Sequence, residues 1–498
     1  MADPVMTGQF ENLGDLLEAV ASEYPDAVAF IDGTRRLTFA EWYSQARQVA
    51  GFLAGRGITA GDVVVLTLPT GIEFAVWYSA VLLLGGVVTA VNTRLGTTEV
   101  TGILAKSGAA ATVEHGSDPR VPAGFGGQRV RTDELPADPA PLRSRPAVAA
   151  HDAAAIVWTS GTTGAPKGAW FDHAGLAAGI HASGLLSAPF DRRLMPTPFA
   201  HAGFMTRVWD QLAFVMTSII TPAPWNAETT LECLLAERVT VGQGVPTQWE
   251  KLLGLLAGQT HLPDLRVLGT GAARVPAELV RGLRQQLRCP VLVRYACTET
   301  PIMTGTRPDD PPETLERSVG RGQDGVAIQV LDEAGQPVPA GSVGRVAAKS
   351  PFQMRGYWND PEQTAAAFNS DGWFVSSDLG SLDSAGNLTL VGRASEVYIR
   401  GGYNVYPLEV ENALTSHPSV QAAAVVGVPA PVIGEIGVAY VVPVPGQEPD
   451  LATLRSWCAD RIADYKAPDR LELVGELPLN SMMKVDKRAL AHRACARA

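Results

Sequence analysis

The chain has 498 residues, of which 46% are hydrophobic, and its 40 Lys and Arg against 51 Asp and Glu give a formal net charge of -11. This length predicts about two to four domains with a large core. The net negative charge repels nucleic-acid phosphates and anionic lipid headgroups, so neither is expected as a partner.

Five cysteines are scattered along the chain without CxxC or His spacing, so we expect neither a disulfide framework nor a zinc site and predict a cytoplasmic protein. The N-terminal stretch MADPVMTGQFENLGD lacks the basic start and apolar run of a secretory signal. The apolar stretch FAVWYSAVLLLGGVVTAV from Phe74 approaches the length of a membrane span, but Gly85-Gly86 interrupts it. We therefore predict a buried helix followed by a core strand, and no membrane span.

Up to about residue 320, short Val, Ile and Leu runs alternate with helical patterns, which predicts parallel strands with helices on both faces of a sheet. The clearest strands are DVVVLTL from Asp62, AAIVWTS from Ala154, LRVLGTG from Leu265 and VLVRYA from Val291. PAELVRGLRQQL predicts a helix with Pro276 in its first turn. Residues 117–150, rich in Pro, Ala and Arg, predict a surface excursion.

From about Ser318 to Gly392, closely spaced strands with Gly, Pro and Asp turns predict a small, mostly antiparallel β unit. After Arg393 a polar segment precedes two helical and two strand patterns and a polar tail: PLEVENALTSH, QAAAVVGV, GVAYVVPV and LATLRSWCADRIA. This order predicts an α+β module of an ordinary domain size.

The loop TSGTTGAPKG, residues 159–168, directly follows an apolar strand. Glycines let backbone N–H groups converge on an anion, and Lys167 adds a point charge. The Walker pattern fails, because Pro166 occupies the sixth position counted from Gly161. The loop suits a mobile polyphosphate such as the β and γ groups of ATP, while a polar surface turn is the alternative for such a loop taken alone. Three hydroxyl side chains complete it: Ser160, Thr162 and Thr163.

The loop resembles the signature loop of the adenylate-forming superfamily, which comprises acyl-CoA synthetases, adenylation domains and beetle luciferases. Further motifs follow in the family's order: TPFAHAGF from Thr197, GTGAARVP from Gly269, YACTET from Tyr295, DGWFVSSDLG from Asp371, VGRASEVYIRGGYNVYPLEVE from Val391 and LPLNSMMKVDKRAL from Leu477. The resemblance implies an α/β fold. Its large N-terminal domain, residues 1–394, contains two stacked α/β subdomains and a small β-barrel-like subdomain, and a mobile α+β C-terminal domain, residues 395–498, follows.

The resemblance also implies a nucleotide site. Tyr295 is expected against adenine, Thr298 at a phosphate and Glu299 on Mg²⁺, a cation that prefers a carboxylate together with phosphate oxygens. Asp378 is expected on both ribose hydroxyls, with Arg393 nearby. The other expected nucleotide contacts are Thr159, Ser160, Gly161, Thr162, Thr163, Gly164, Lys167, Gly271, Ala272 and Ala273.

These residues also have ordinary structural interpretations. Taken alone, Tyr295 fits a half-buried packing aromatic and Glu299 a solvated charge, and Asp378 with Arg393 fits an interdomain salt bridge. The chain departs from the family at Ala296, where Gly is usual, and at Ser376-Ser377, where Thr-Gly is usual; the serines are tolerated if no positive φ is required.

Lys484 is expected, by the same resemblance, to stabilise the charge that builds up when a carboxylate attacks the α-phosphate of ATP. With Thr298, Glu299 and His201 it completes the expected catalytic set. Met483 stands just before it where the family has Gly, so a positive φ there would cost about 1 to 3 kcal/mol. His201 is expected as a gate between the acyl pocket and a thiol tunnel, with a core histidine as the alternative.

Ser395 occupies the position of the family's polar hinge. Gly401 and Gly402 would permit close approach of a pantetheine arm, and an ordinary glycine turn is the alternative.

Small residues in the segments expected to form the acyl pocket leave room for a bulky apolar acid. The larger residues expected to line that pocket are Phe204, Met205, Val245 and Met303. No acidic residue lies between Thr197 and Val208, which disfavours an amino-acid substrate.

The sequence thus predicts an AMP-forming acyl-CoA synthetase that uses ATP, Mg²⁺ and coenzyme A. A carboxylic acid and ATP would give acyl-AMP and pyrophosphate, and the CoA thiol would then give acyl-CoA and AMP. Two alternatives stay open: transfer of the acyl group to a carrier-protein thiol, and a nucleotide-binding protein whose Met483 loop no longer catalyses. Homodimer formation and the identity of the acid are also left open.

Overall fold

The computed structural model of the protein describes residues 3–116, 118–160, 166–256, 262–479 and 485–496. The chain forms two compact units, the first of Met1–Ile328 with Ala348–Phe374 and the second of Gln329–Ala347 with Val375–Ala498. The sequence predicts a mobile C-terminal domain that begins at residue 395, and this boundary stays a prediction.

The strands of the described residues follow in chain order. They are β1 (Val28–Asp32), β2 (Arg35–Thr38), β3 (Val63–Thr67), β4 (Val87–Ala90), β5 (Ala111–Glu114), β6 (Gln128–Arg131), β7 (Ala153–Ser160), β8 (Pro166–Asp172), β9 (Arg192–Met195), β10 (Thr217–Ile220), β11 (Val241–Gly244), β12 (Val267–Gly271), β13 (Val291–Tyr295), β14 (Thr304–Gly305), β15 (Arg321–Gly322), β16 (Ala327–Leu331), β17 (Gly344–Lys349), β18 (Gly356–Tyr357), β19 (Phe374–Leu382), β20 (Leu388–Arg393), β21 (Tyr398–Arg400), β22 (Tyr403–Val405), β23 (Val420–Ala430), β24 (Gly434–Pro443) and β25 (Arg470–Leu473).

The α-helices lie between them. They are α1 (Leu13–Glu23), α2 (Phe39–Gly55), α3 (Ile72–Leu83), α4 (Thr97–Ser107), α5 (His173–Ala178), α6 (Ala202–Met205), α7 (Val208–Ala213), α8 (Ala227–Ala236), α9 (Pro246–Leu255), α10 (Ala277–Leu287), α11 (Pro312–Arg317), α12 (Pro361–Ala367), α13 (Pro407–Thr415), α14 (Leu451–Ala459) and α15 (Lys487–Ala496).

The first unit contains two sheets of the predicted α/β type. Among its described residues, a nine-stranded sheet has the order β15-β14-β13-β12-β11-β9-β10-β1-β2 and a seven-stranded sheet the order β18-β8-β7-β4-β3-β5-β6. The strands from β13 to β1 pair in parallel, as do β7, β4, β3, β5 and β6. Antiparallel strands occupy the remaining positions, including the β7–β8 pair. The predicted α/β architecture is confirmed.

One apolar core cluster of the first unit contains residues from both sheets. It contains Phe30 of β1, Leu66 of β3 and Trp77 of α3. Every residue of α3 except Glu73 is buried, which explains why the apolar stretch from Phe74 has no polar face. The stretch continues into β4, as predicted. Among the described residues, no helix combines the length and apolar character needed to cross a bilayer.

The second unit contains a small sheet of order β16-β17-β19-β20 and a five-stranded sheet built around β23 and β24. Strands β19 and β20 are antiparallel, as are β23 and β24. Helices α13 and α14 pack on the larger sheet through a core that includes Val410, Leu454 and Val425. The predicted β unit and α+β module are both present.

Three details differ from the sequence prediction. The excursion of residues 117–150 contains β6, which pairs in parallel with the edge strand β5 and buries Val130. The C-terminal tail contains β25, paired with β24, and α15. Pro276 is the N-cap of α10 rather than a residue of its first turn. These short elements depend on pairing with distant strands, so local composition did not indicate them.

His173, the first residue of α5, is buried with 1% exposure. Its Nδ1 accepts a long hydrogen bond, 3.5 Å, from the Leu13 N–H, and its ring centroid lies 6.3 Å from that of Trp209. Burial lowers the pKa of His173 from 6.5 to about 4, although nearby carboxylates act to raise it. Those carboxylates belong to Asp152, Asp172 and Asp15. The folded state therefore favours the neutral imidazole.

Because His173 is buried in its neutral form, we expect the protein to lose stability in mild acid. The variant His173→Asn should lack the part of this loss that comes from the histidine. Above pH 6.5 the imidazole is neutral in both the folded and unfolded states; as the pH falls toward 4, only the unfolded state gains the proton. The free energy of unfolding should therefore fall by on the order of 3 kcal/mol through this group. Urea titrations of wild type and variant at about pH 7 and about pH 4.5 should show the wild type losing more stability. An equal loss in both proteins would contradict the assignment.

Candidate active site

Three parallel strands bring several candidate residues to one edge of the nine-stranded sheet. In the register of β11, β12 and β13, Gly244 is paired with Thr270 and Gly271 with Arg294. The carboxyl ends of parallel strands meet on the same edge, which is where open α/β sheets bind ligands. The predicted segments that begin at Val245, Ala272 and Tyr295 are therefore neighbours.

The segment after β13 carries the predicted adenine and phosphate contacts. Tyr295 is 8% exposed, and its carbonyl accepts a hydrogen bond of 3.3 Å from the Met303 N–H. Thr298 and Glu299 are partly buried, whereas Ala272 and Ala273 on the neighbouring strand end are exposed. Ala272 has a φ of 63°, a left-handed conformation that is uncommon for a residue with a side chain.

Glu299 is held by a tyrosine that the sequence analysis did not identify. The Tyr357 hydroxyl donates a hydrogen bond of 2.8 Å to Glu299 Oε1, and the Met354 N–H donates one of 2.8 Å to the Glu299 carbonyl. Burial and the neighbouring carboxylate raise the pKa of Tyr357 above its ordinary value of 10, so the phenol keeps its proton. Oε1 of Glu299 is thus held by Tyr357, and Oε2 can still accept a hydrogen bond or bind a cation.

Lys167 belongs to the same polar network. Its Nζ donates a hydrogen bond of 2.7 Å to Gln363 Oε1 and lies 5.2 Å from the centroid of the Tyr357 ring. Gln363 is in α12, whose N-cap Asp360 pairs with Lys106 at 2.8 Å. The ammonium group is therefore oriented beside Glu299's partner. The only sequence signal for this network was the Asp-Pro start of a helix in NDPEQT.

His201 contacts an asparagine from the other sheet. Asn92, just beyond β4, places its Nδ2 2.8 Å from His201 Nε2. The Arg94 N–H donates to Asn92 Oδ1 at 2.9 Å, so the amide nitrogen must face the imidazole. An amide nitrogen is only a donor, hence Nε2 accepts and the proton of the neutral ring is on Nδ1.

The predicted acyl-pocket residues differ in their burial and in their neighbours. Phe204 is 1% exposed and stacks on Phe199 with ring centroids 3.8 Å apart, and Met205 is fully buried in the same core. Met303 is also fully buried, with its sulfur 3.9 Å from that of Cys297. Core packing thus accounts for these side chains, and their role as pocket residues stays a prediction. Val245 is partly exposed at the end of β11.

The glycine-rich loop joins β7 to β8. In the antiparallel register Thr159 pairs with Lys167 and Ser160 with Pro166, and Thr159 Oγ1 donates a long hydrogen bond of 3.5 Å to the Lys167 carbonyl. Four predicted phosphate contacts and the predicted catalytic lysine lie outside the described residues: Gly161, Thr162, Thr163, Gly164 and Lys484.

In the second unit, Asp378 and Arg393 are directly opposite each other on β19 and β20, with Arg393 Nε 3.3 Å from Asp378 Oδ1. The half-exposed guanidinium and the less exposed carboxylate form the pair that the sequence predicts beside a ribose. Ser376 and Ser377 are absent from the positive-φ residues of the described chain, so the usual Gly is not required there.

The predicted hinge and thiol-binding residues are also in the second unit. Ser395 is exposed in a short 3₁₀ turn, Ala394–Glu396. Gly401 and Gly402 connect β21 to β22 with φ values of 58° and 86°, which a two-residue hairpin turn requires. Turn geometry therefore explains both glycines, and contact with a pantetheine arm stays a prediction.

Two family models match most of the chain. The model of the AMP-binding enzyme family matches residues 17–358, and that of the AMP-binding enzyme C-terminal domain matches residues 409–484. A feruloyl-CoA synthase from an Amycolatopsis species is 33% identical, covering 94% of this chain and 96% of its own.

Two solved structures share the fold. The ATP-bound structure of MatB from Rhodopseudomonas palustris has a TM-score of 0.86 at 29% identity, covering 97% of this chain and 99% of its own. The o-succinylbenzoate CoA synthetase MenE from Bacillus subtilis, in complex with an acyl-adenylate intermediate, has a TM-score of 0.86 at 27% identity, covering 95% and 97%.

The contact between Asn92 and His201 predicts the tautomer of the histidine. Long-range ¹H–¹⁵N spectra of histidine-labelled protein at neutral pH should show His201 with a protonated Nδ1 and an unprotonated Nε2. In Asn92→Asp a carboxylate would face Nε2, and the ring should gain a second proton. An Nε2–H tautomer in the wild type would contradict this geometry.

Proposed function

The chain belongs to the family of AMP-binding enzymes and is an AMP-forming acid–thiol ligase, and from this premise we propose that it converts a bulky carboxylic acid into its CoA thioester. The observation that carries the proposal is the position of Glu299, fixed by Tyr357 beside Tyr295 at the carboxyl edge of the sheet. The family matches cover this edge, within residues 17–358, and most of the C-terminal region, residues 409–484.

In the first step a carboxylate oxygen of the acid attacks the α-phosphorus of ATP, and the bond between the α-phosphorus and its bridging oxygen to the β-phosphate breaks. Acyl-AMP forms and pyrophosphate leaves with the bond's electron pair. The glycine-rich loop and Lys167 bind the departing phosphates, Tyr295 lies against adenine, Thr298 contacts phosphate, and Asp378 with Arg393 binds ribose. These assignments rest on the resemblance, together with the strand-end position of Tyr295 and the register of Asp378 with Arg393.

The donor set fits a magnesium ion carried by the nucleotide. Among the described residues no three His, Cys, Asp or Glu side chains form a metal cluster, and Glu299 provides one carboxylate with a free accepting capacity. A hard cation bound to phosphates needs few protein ligands. Glu299 would hold Mg²⁺, which supplies charge neutralisation at the phosphates.

In the second step the sulfur of CoA attacks the carbonyl carbon of acyl-AMP, the carbon–oxygen bond to the phosphate breaks, and AMP leaves. His201 is the proposed gate for the thiol. Ser395 is the proposed hinge between the two steps, and Gly401 with Gly402 the proposed contact for the pantetheine arm. A carrier-protein thiol is the alternative acceptor, and abundant thioester with CoA alone would exclude it as an obligate route.

The proposal of a bulky acid rests on the small residues of the predicted pocket and on two relatives. Feruloyl-CoA synthase and o-succinylbenzoate CoA synthetase are named for acids that contain rings. Comparable bulk in the acid used by this chain is our inference. Its cytoplasmic location and any homodimer remain predictions.

Lys484→Ala should separate the two half-reactions. Loss of the cation that stabilises the attack on the α-phosphate should lower acid-dependent pyrophosphate exchange into ATP about a thousandfold. Thioester formation from supplied acyl-adenylate and CoA should continue. Lys251→Ala, an exposed lysine of α9, serves as the matched control. Equal loss of both steps in Lys484→Ala would contradict the assignment, as would exchange at the wild-type rate.

Tyr357→Phe should weaken the use of nucleotide by releasing Glu299. Removing one hydroxyl leaves the carboxylate less well oriented, which for a residue behind a metal ligand costs about tenfold in affinity. The KM for Mg–ATP should rise by about that factor. Tyr43→Phe is the control, because it also removes a hydroxyl bonded to a carboxylate, that of Glu18. Unchanged kinetics in Tyr357→Phe would show that this hydroxyl does not position Glu299.

A further inference from the structure

The interior of the first unit contains more positive than negative charge near the predicted acyl pocket. Asp210 Oδ2 accepts from Arg193 Nη1 at 2.8 Å and from Arg207 Nη2 at 2.6 Å. The side chains of Asp210 and Arg193 are each 2% exposed. Burial acts to raise the pKa of Asp210, but Arg193 and Arg207 hold it well below its usual range, so the carboxylate is ionised. The single carboxylate of Asp210 is thus paired with two guanidinium groups.

Arg294 adds a third cation without a partner of opposite charge. Its only hydrogen bond among the described residues is a long one, 3.4 Å from Nη2 to the Ser183 carbonyl, and no ion pair of the described chain includes it. Arg207 bonds to the hydroxyl of the same Ser183 at 2.9 Å. Burial, together with the charge of Arg207, lowers the pKa of Arg294 to about 10. The group remains charged near neutral pH and lacks a counter-ion.

Within the part of the chain that the structure describes, several polar atoms of this cluster are buried without a hydrogen bond. They are the Nε atoms of Arg193, Arg207 and Arg294, and Oδ1 of Asp210. Buried donors of charged groups are costly when unpaired, so native proteins nearly always satisfy them. The cluster therefore has the donors and the net charge to bind an anion.

The backbone leaves space for the unpaired guanidinium. A Cβ at Gly305 would lie 2.5 Å from Arg294 Nη1 and 2.8 Å from its Cζ, closer than real atoms approach. Any side chain at Gly305 would displace Arg294. The absence of a side chain at Gly305 therefore leaves the space that the Arg294 guanidinium occupies.

Arg207 connects the cluster to the proposed site. With Thr206 it lines a cavity of about 10 Å³, enough for about one water molecule, whose other walls include Pro301, Ile302 and Phe352. Thr206 directly follows α6, the helix that His201 caps, and Pro301 is two residues beyond Glu299. The cavity is thus bounded by the segments that follow His201 and Glu299 in the chain.

We propose that the acid activated by this enzyme carries a second carboxylate at the end remote from the reacting one, and that Arg207 binds it while Arg294 supplies the balancing positive charge. The planar guanidinium of Arg207 matches a carboxylate better than a neutral group. The inference rests on the proposed function, because it assumes that an acid is adenylated at all. It replaces the bulky apolar acid predicted from sequence with an acid that is charged at both ends.

Matched pairs of acids test the proposal in the full-length wild-type enzyme. Octanedioic acid is compared with octanoic acid, and 3-(4-carboxyphenyl)propanoic acid with 3-(4-methylphenyl)propanoic acid, by acid-dependent pyrophosphate exchange into ATP. In at least one pair the dicarboxylic acid should have a kcat/KM about tenfold to a hundredfold higher, the range expected for a buried hydrogen bond to a charged group. Efficient exchange with the monocarboxylic acids and no preference in either pair would overturn the proposal.

Substitutions assign the preference to the cluster. Arg207→Met should reduce the dicarboxylic-to-monocarboxylic ratio of kcat/KM about tenfold or more, and Arg207→Lys should retain part of it. The ratio does not depend on the fraction of folded enzyme, so partial destabilisation cannot imitate the effect. Arg238→Met, which removes an exposed arginine paired with Asp264, should leave the ratio unchanged. An unchanged ratio in Arg207→Met would overturn the assignment. Absence of exchange with every acid would instead overturn the proposed function, and this inference with it.

Discussion

Parallel pairing of β9, β11, β12 and β13 is the constraint on which the site depends. Strands that run in the same direction end on the same edge, so the residues after β12 and β13 become neighbours although more than twenty positions separate them. Side chains from elsewhere in the first unit then fix the groups on this edge. Tyr357 holds Glu299, and Asn92 holds His201. The chemistry proposed for the chain uses groups that this edge has already positioned.

Charge is distributed unevenly in this architecture. The chain as a whole is acidic, with a net charge of -11, yet the cluster beside the proposed acyl pocket contains, among the described residues, three arginines and one aspartate. Burying such an excess is unfavourable unless an anion compensates it. A substrate that provides that anion would gain affinity from charge already desolvated by the fold, and acids without it would not. Specificity would then depend on the far end of the acid and turnover on its reacting end.

The sequence predicts the parallel α/β sheets and their clearest strands, because buried parallel strands are continuous apolar runs. Through the resemblance it predicts Tyr295, Glu299, Asp378 and His201 as site residues, and these roles stay predictions. It could not identify Tyr357, which reaches Glu299 across 58 positions, since no local pattern encodes such a contact. The buried arginines were missed for the same reason. Phe204, predicted to line the acyl pocket, stacks on Phe199 in the core, and its role in the pocket stays a prediction.

The central claim is that a carboxylate oxygen of the acid becomes bonded to the α-phosphorus of ATP. An acid labelled with ¹⁸O in its reacting carboxylate tests this directly when the products of complete turnover with ATP and CoA are analysed by mass spectrometry. The account predicts one ¹⁸O atom in AMP and none in pyrophosphate. Label in inorganic phosphate, or AMP free of label while thioester accumulates, would contradict it.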